Sequence, residues 1–294
     1  MLKPRSDILR LGIPKGSLQD STVDLFSKAG WKISVNDRSY FPSIDDPMIE
    51  VVMFRAQEMS RYVEEGVIDL GLTGSDWIQE NNSDVLEVTE LVYSKATSKP
   101  ARWVLCVPQE STVTKPEELE GGVIATELVG CTKRYFEQKK IKVKVEFSWG
   151  ATEVKARLLD GIVDITETGS SIRANNLRII DTLLTSTTRL VANKKTWLDA
   201  VKREKIENIS LLLQGAINAR EKVGLKLNAP KETLDAILRL LPSEKSPTVS
   251  PLADGTWSAV EVIVEEKLER ELIPKLKRAG ATGIISYPLN KVIP

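Results

Sequence analysis

The chain reads Gly66-Val67-Ile68-Asp69-Leu70-Gly71-Leu72-Thr73-Gly74-Ser75 and, further on, Gly161-Ile162-Val163-Asp164-Ile165-Thr166-Glu167-Thr168-Gly169-Ser170. Both copies place aliphatic residues around an Asp and end in Thr-Gly-Ser, which is typical of a buried strand that leads through a tight loop into a helix. Unrelated strand–helix units share this composition, so convergence stays the alternative to duplication. The repeat predicts two related α/β lobes that face a shared cleft.

Short apolar segments alternate with amphipathic ones on both sides of the repeat, as in mostly parallel sheets covered by helices. In the first lobe the pattern predicts strands at 8–14, 49–54 and 67–72 and helices at 17–29 and 55–65. In the second it predicts strands at 102–108, 123–126 and 143–147 and helices at 131–140 and 152–159.

The last part of the chain has a different order of elements. It predicts strands at 223–227, 248–252, 258–264 and 282–287 and helices at 232–241 and 267–279. That order is βαββαβ, a ferredoxin-like unit, and binding or oligomerisation suits it better than catalysis. With a polar, hinge-like segment at 94–100, the predicted domains are 1–93 with 181–205 as lobe I, 94–180 as lobe II, and 206–294 as a C-terminal domain.

Composition narrows the possible chemistry. The 294 residues include 41 Lys and Arg, 41 Asp and Glu, and no His. A balanced charge argues against binding to nucleic acid or to an anionic membrane, and the absence of imidazole excludes Ser-His and Cys-His catalysis. No apolar run resembles a signal peptide or a membrane span, and two cysteines without metal-ligand spacing fit a cytoplasmic protein. A metal would be a hard cation such as Mg²⁺, held by oxygen ligands.

The second copy is built like a cradle for a phosphate. Gly169 allows close backbone approach, Ser170 and Ser171 offer hydroxyls, and a following helix would present free N–H groups. Thr166 and Thr168 add hydroxyls. The remaining members of this loop are Ile165 and the acidic residues Asp164 and Glu167. The carboxylates of Asp164 and Glu167 suit sugar hydroxyls or hydrated Mg²⁺. A turn with an N-cap explains the same residues without a ligand, and both interpretations stay open.

A second candidate anion site is Pro14-Lys15-Gly16-Ser17, which follows the first predicted strand. Three arginines also stand near predicted strand or helix ends, namely Arg38, Arg55 and Arg102. Guanidinium groups bind phosphates with two parallel hydrogen bonds, and Lys15 would act as a point charge. Solvated surface side chains are the alternative for each of them.

At these residues the sequence resembles the ATP phosphoribosyltransferases of histidine biosynthesis, in their long form. The resemblance covers nearly the whole chain, and it is most specific from Asp164 through Asn175. The other motifs that carry it are Ile13-Pro14-Lys15-Gly16-Ser17, Asp69-Leu70-Gly71-Leu72-Thr73-Gly74, Ala125-Thr126-Glu127 and Ser148-Trp149-Gly150-Ala151-Thr152-Glu153.

The resemblance implies a core like the type II periplasmic binding proteins, in which ATP and 5-phosphoribosyl 1-diphosphate meet between the lobes. N1 of the adenine attacks the anomeric carbon and pyrophosphate leaves, with Mg²⁺ as cofactor and protein ligands that stay unknown. The resemblance also implies dimers that assemble into hexamers, and inhibition by histidine at the C-terminal domain. Attack by a neutral ring nitrogen needs no base, which agrees with a chain that lacks histidine.

Carried over residue by residue, the resemblance assigns 164–171 to the phosphoribosyl diphosphate and Lys15, Arg55 and Glu153 to catalysis. The implied ATP-binding residues are Lys15, Gly16, Arg38, Asp69, Thr73, Gly74 and Arg102. The implied histidine-binding residues are Asn228, Thr248, Ile263 and Gly283.

Two segments depart from the family pattern. Leu128-Val129-Gly130 stands where a tyrosine and a proline usually follow Thr126-Glu127, and Ala156-Arg157 replaces a common pair that ends in proline. Both affect loop shape and leave the phosphosugar loop intact. The alternatives to an enzyme are a two-lobed small-molecule-binding or regulatory module without catalysis, and an inactive paralogue that regulates a partner.

Overall fold

A computed structural model describes residues 7–36, 39–93, 100–242 and 247–294. The chain divides into two compact units, Met1–Ser210 and Leu211–Pro294. The helices are α1 Gln19–Ala29, α2 Ala56–Glu64, α3 Ser75–Asn81, α4 Val129–Gln138, α5 Thr152–Lys155, α6 Ser170–Ala174, α7 Lys194–Trp197, α8 Ala200–Asn218, α9 Leu234–Leu240 and α10 Glu269–Arg278. The strands of the first unit are β1 Leu9–Pro14, β2 Ile33–Ser34, β3 Ser43–Ile44, β4 Ile49–Phe54, β5 Leu70–Gly74, β6 Leu86–Leu91, β7 Ala101–Pro108, β8 Val123–Thr126, β9 Lys144–Phe147, β10 Gly161–Thr166, β11 Leu177–Ser186 and β12 Thr188–Ala192. Those of the second are β13 Lys222–Pro230, β14 Thr248–Pro251, β15 Trp257–Glu265 and β16 Thr282–Pro288.

The first unit contains two five-stranded sheets with equivalent topology. Lobe I is the sheet β4-β1-β5-β12-β6 with its helices, and lobe II is the sheet β9-β8-β10-β7-β11 with its helices. In each sheet the first three strands are parallel to one another, and the last two pair antiparallel. The repeated strands β5 and β10 both lie at the centre. The predicted two-lobed architecture, like that of type II periplasmic binding proteins, is confirmed.

Local sequence explains the core of lobe I. In α1, Thr22, Leu25, Phe26 and Ala29 are buried, which is one face of a helix. Gly30 ends the helix in a left-handed conformation with φ of 113°, and its N–H bonds to the carbonyl of Phe26. The face so formed covers a sheet whose central strands are almost completely buried.

Three predicted details of the first unit differ from the structure. The sheets are mixed rather than mostly parallel, because β7 and β12 carry the chain from one lobe to the other and run against their neighbours. The strand expected at 67–72 begins only at Leu70, since Gly66 turns the chain with φ of 73° and Val67 is exposed. The sequence predicts that the chain returns from lobe II to lobe I between residues 180 and 181. This position lies inside β11, which pairs with β7 of lobe II along its whole length.

The second unit has the predicted βαββαβ order. Its four strands form an antiparallel sheet in the order β14-β15-β13-β16, and residues of α9 and α10 join one face of that sheet in a single apolar core. This is the ferredoxin-like arrangement. Among the residues that the structure describes, no helix is long and apolar enough to cross a membrane. Apart from the boundary between residues 180 and 181, the domain boundaries predicted from the sequence stay a proposal.

Candidate active site

A cavity of about 510 Å³ lies between lobe I and lobe II. Lobe I contributes residues that follow the carboxyl ends of β1, β4 and β5, namely Lys15, Arg55 and Asp76. Lobe II contributes Glu127 after β8 and residues 165–168, 170 and 171 at the end of β10. Ligands of open α/β sheets bind at the carboxyl ends of strands, so this geometry marks the cavity as the candidate active site.

The loop after β10 offers several hydrogen-bond donors to this cavity. Gly169 has φ of 74° and begins α6, and its N–H donates to the hydroxyl oxygen of Thr166 at 2.8 Å. That bond fixes the turn. Thr168 and Ser170 are exposed, and the Thr168 hydroxyl donates to the Ser170 hydroxyl oxygen at 3.0 Å. The arrangement suits an anion with several oxygens.

Carboxylates gather beside this loop. Burial raises the pKa of Asp164 to about 6, and the charges of Glu153 and Glu127 add to the rise. The N–H of Ile165, which donates to Asp164 at 2.8 Å, opposes it. Glu127 also lies across the cleft from Gln57, whose amide nitrogen is 3.5 Å away. Such a negative cluster can accept hydrogen bonds from sugar hydroxyls, and a bound cation would stabilise it.

The lobe I side of the cavity is basic. Lys15 follows β1, and its ammonium nitrogen lies 3.7 Å from the centre of the Tyr40 ring. Gly16 has φ of 114°, and a Cβ there would lie 3.6 Å from a guanidinium nitrogen of Arg55. Lys15 and Arg55 also line a second cavity on lobe I, of about 880 Å³, which has aromatic walls that include Tyr40 and Phe41. Two cations therefore stand where the two cavities meet.

Several residues proposed to bind ATP lie elsewhere. The carboxylate of Asp69 accepts hydrogen bonds from Arg10 N–H, from the Thr196 hydroxyl and from the Lys202 ammonium group, at the end of β5 opposite the cleft. Thr73 is buried and donates to the carbonyl of Ala56 at 2.7 Å. These contacts give Asp69 and Thr73 a structural role, and neither residue lines the cavity.

The other predicted ATP-binding residues, Gly74, Arg102 and Arg38, differ in their positions relative to the cavity. Gly74 lines the cavity at the start of α3. Arg102 lies in β7 between Thr166 and Thr185 of the neighbouring strands and does not line the cavity. Arg38 lies outside the described residues.

In the C-terminal unit, the four predicted histidine-binding residues lie one on each strand of the sheet. Asn228 and Gly283 are neighbours, since a Cβ on Gly283 would lie 3.2 Å from the Asn228 amide nitrogen. Ile263 lies in β15 on the same sheet face as Asn228, and it is exposed. Thr248 lies at the start of the edge strand β14, opposite Glu261.

Sequence reasoning missed some residues of the cleft. Arg173, one turn into α6, donates from its guanidinium group to the carbonyl of Thr168 at 3.2 Å and adds positive charge to the loop. Its position four residues after Gly169 was the available signal. Gln57, Asp76 and Thr187 line the cavity through contacts between distant segments, which no local pattern encodes.

Comparison with known proteins agrees with this geometry. The family model described as ATP phosphoribosyltransferase matches residues 55–215, and the model for the C-terminal domain of the same family matches residues 219–291. An ATP phosphoribosyltransferase from Chlorobium chlorochromatii is 60% identical over 287 residues, which are 97% of this chain and 98% of the relative. One from Geotalea daltonii is 57% identical over 290 residues, with 98% and 100% covered.

A solved structure is also similar. The ATP phosphoribosyl transferase complex of HisG with HisZ from Thermotoga maritima contains a chain that aligns with a TM-score of 0.61 and 29% identity. The alignment covers 72% of this chain and 98% of that one. The family resemblance inferred from the sequence motifs is thereby confirmed.

Proposed function

This chain belongs to the ATP phosphoribosyltransferase family of histidine biosynthesis, and on that premise we propose that its interlobe cleft transfers phosphoribosyl from 5-phosphoribosyl 1-diphosphate to N1 of the ATP adenine. One observation carries the proposal. The exposed hydroxyls of the loop after β10 and the cations Lys15 and Arg55 line the same cavity from opposite lobes. A phosphosugar and a polyphosphate can therefore meet there.

The loop after β10 would hold the sugar phosphate. Backbone N–H groups and the hydroxyls of Thr168, Ser170 and Ser171 donate to the 5-phosphate oxygens. Asp164 and Glu153 accept hydrogen bonds from the ribose hydroxyls. In this orientation the anomeric carbon points toward lobe I, where the second substrate approaches.

Lys15 and Arg55 would stabilise the leaving group. The bond between the anomeric carbon and the diphosphate oxygen breaks with its electron pair on the diphosphate, and the adenine N1 lone pair forms the new bond. Negative charge grows on the leaving oxygen, where fixed cations lower the barrier most. The second cavity, with its aromatic walls beside the same two cations, offers room for the rest of ATP.

Magnesium is proposed as the cofactor. Among the described residues, no group of three or more Asp, Glu or Cys side chains is arranged to hold a metal ion. The carboxylates at Asp164, Glu153 and Glu127 nevertheless supply hard oxygen donors and negative potential. Mg²⁺ bound there with substrate oxygens would neutralise diphosphate charge.

The regulatory part of the proposal concerns the second unit. Histidine is proposed to bind its sheet near Asn228 and Gly283, with homo-oligomers of dimers and hexamers linking that unit to the cleft. Inhibition of wild type by histidine, and its loss in Asn228→Ala, would support the assignment. Unchanged inhibition in a folded Asn228→Ala protein would remove it. A cytoplasmic location stays a prediction.

Turnover tests the activity directly. Purified protein is incubated with ATP, the diphosphate sugar and Mg²⁺, and phosphoribosyl-ATP and pyrophosphate are quantified. We expect equimolar formation of both products and their loss when Mg²⁺ is chelated. Binding of the diphosphate sugar by folded protein, without either product, would favour the non-catalytic binding module.

A further inference from the structure

The short helix α3 of lobe I makes several contacts with lobe II, and one of them has an uncommon form. The carboxylate of Glu80 accepts two backbone hydrogen bonds at the start of α4, from Gly130 N–H at 2.7 Å and from Cys131 N–H at 2.8 Å. Leu128, the residue that precedes α4, supplies no side-chain cap of its own. The negative charge that complements the N-terminus of α4 therefore comes from the other lobe.

Neighbouring contacts strengthen this junction. The guanidinium group of Arg134 in α4 donates to the carbonyl of Gln79 at 2.7 Å. At the first turn of α3, the carboxylate of Asp76 accepts a hydrogen bond from the indole N–H of Trp103 in β7 at 2.6 Å, and both side chains are only 2% exposed. The ring of Trp77 packs edge-on against Trp103, with centroids 5.9 Å apart. These contacts all join lobe I to lobe II.

The junction lies directly beside the cleft. Gly74, which lines the cavity, immediately precedes α3, and Glu127, which lines it from the other lobe, stands two residues before α4. A displacement of α4 relative to α3 would therefore change the width of the cavity. None of the four residues Gln79, Glu80, Gly130 and Arg134 lines the cavity itself.

We propose that Glu80 is a positioning residue, and that its two bonds to α4 hold the lobes at the spacing that binds both substrates. We call the contacts of Glu80 and Gln79 with Gly130, Cys131 and Arg134 the α3–α4 clasp. When the clasp is broken, the unliganded lobes spend more time apart, and the fraction of binding-competent protein falls. Saturating substrates restore the spacing. The kinetic part of this inference rests on the proposed function.

The first test is Glu80→Gln, which keeps the size of the side chain and removes the charge. The amide can accept through only one oxygen, so at least one bond to α4 is lost. We expect KM to rise about tenfold for ATP and for the diphosphate sugar alike, with kcat within about twofold of wild type. The matched control is Glu65→Gln, an exposed carboxylate of lobe I, which should leave both KM values unchanged.

A second variant covers the case in which Glu80→Gln folds poorly. A Cβ on Gly130 would lie 3.1 Å from a carboxylate oxygen of Glu80 and 3.2 Å from a guanidinium nitrogen of Arg134. Gly130→Ala therefore displaces the clasp, while alanine favours the helix itself. We expect a smaller rise of both KM values in the same direction, without a loss of thermal stability.

Small-angle scattering separates this inference from the activity. At a constant oligomeric state, unliganded Glu80→Gln should scatter as a more open first unit than wild type, and the diphosphate sugar with Mg²⁺ should reverse the difference. This readout holds even if wild type transfers no phosphoribosyl group. The inference is overturned if both variants scatter like wild type, or if kcat falls while both KM values stay unchanged.

Discussion

The two copies of the repeated motif differ most at their aspartates. Asp69 in lobe I precedes β5 and is held by Arg10 N–H, the Thr196 hydroxyl and the Lys202 ammonium group. Asp164 in lobe II lies inside β10, faces the carboxylates Glu153 and Glu127, and has a pKa raised to about 6 by burial. One aspartate stabilises the fold, whereas the other is held at a cost in stability beside a cavity. Similar local sequence thus serves structure in one lobe and, in our proposal, binding in the other.

The Thr-Gly-Ser ends of the two copies differ as well. Gly74 is extended, with φ of −75°, and the helix after it packs against lobe II through Trp77. Gly169 is left-handed, with φ of 74°, and the loop around it keeps hydroxyls exposed. The lobe I copy is thereby closed by protein contacts, and the lobe II copy remains open to a ligand.

The largest expected effect comes from disrupting the loop after β10 in lobe II. Thr168→Ala combined with Gly169→Val removes a hydroxyl and places a β-branched residue at positive φ. We expect kcat/KM for the diphosphate sugar to fall about 1000-fold, measured by pyrophosphate release. The control in the other copy is Thr73→Ser, which keeps the bond to Ala56 and should retain activity. A loop variant with wild-type kcat/KM would contradict the comparison.

The structural role of Asp69 in lobe I should be visible in the free energy of unfolding. Lys202 and Asp69 form an ion pair at 3.1 Å in which both side chains are only 15% exposed. Lys202→Met leaves the carboxylate without its cation, and we expect the free energy of unfolding to drop by about 2–4 kcal/mol in urea denaturation. Lys194→Met, which breaks an exposed pair with Asp84, should cost less than about 1 kcal/mol. Equal losses in Lys202→Met and Lys194→Met would show that the pair with Asp69 stabilises the fold no more than an exposed ion pair does.

The pH dependence of stability should identify Asp164. Its folded pKa of about 6 lies above the ordinary value of 3.8, so the folded state binds more protons than the unfolded state between these values. Stability therefore falls as pH rises through this window, by about 1–3 kcal/mol. Chemical denaturation from pH 4 to pH 7 should show this loss in wild type and in the exposed control Asp20→Asn. If Asp164→Asn shows the same loss of stability between pH 4 and pH 7, Asp164 is not the group that causes it.

The smallest expected effect concerns Arg173. Arg173→Met removes a partly solvated cation from the loop, and we expect KM for the diphosphate sugar to rise about fivefold, equivalent to about 1 kcal/mol. High salt should reduce the difference because it screens exposed charge. Arg61→Met, on the exposed side of α2, serves as the control. A salt-independent effect would indicate a steric rather than an electrostatic role.

Much of the fold could be predicted from the sequence because its elements are locally specified. The strands at 49–54 and 123–126 occur as predicted, and the βαββαβ order follows from alternating patterns and turns. The start of β5 could not be found in this way. Val67, Ile68 and Asp69 continue the apolar run, whereas in the folded chain Val67 is exposed and the side chain of Asp69 accepts the Arg10 N–H.

The candidate site was predictable where one loop carries it. Residues 164–171 show their donors in sequence, and the structure places most of them on one cavity. Contacts between lobes, such as Trp103 with Asp76 or Glu80 with the start of α4, join segments far apart in the chain. No local periodicity encodes them, so the shape of the cleft could only come from the folded chain.

The most direct measurement compares Asp69→Asn with Asp164→Asn in parallel, recording kcat/KM and the free energy of unfolding at pH 8. We predict that Asp164→Asn lowers kcat/KM by about 100-fold while stability stays equal or rises, because a strained carboxylate is removed. Asp69→Asn should lose about 2 kcal/mol of stability and keep kcat/KM within about threefold while it remains folded. Two results would contradict the division of roles between the two copies. One is a loss of activity without a loss of stability in Asp69→Asn, and the other is a loss of stability without a loss of activity in Asp164→Asn.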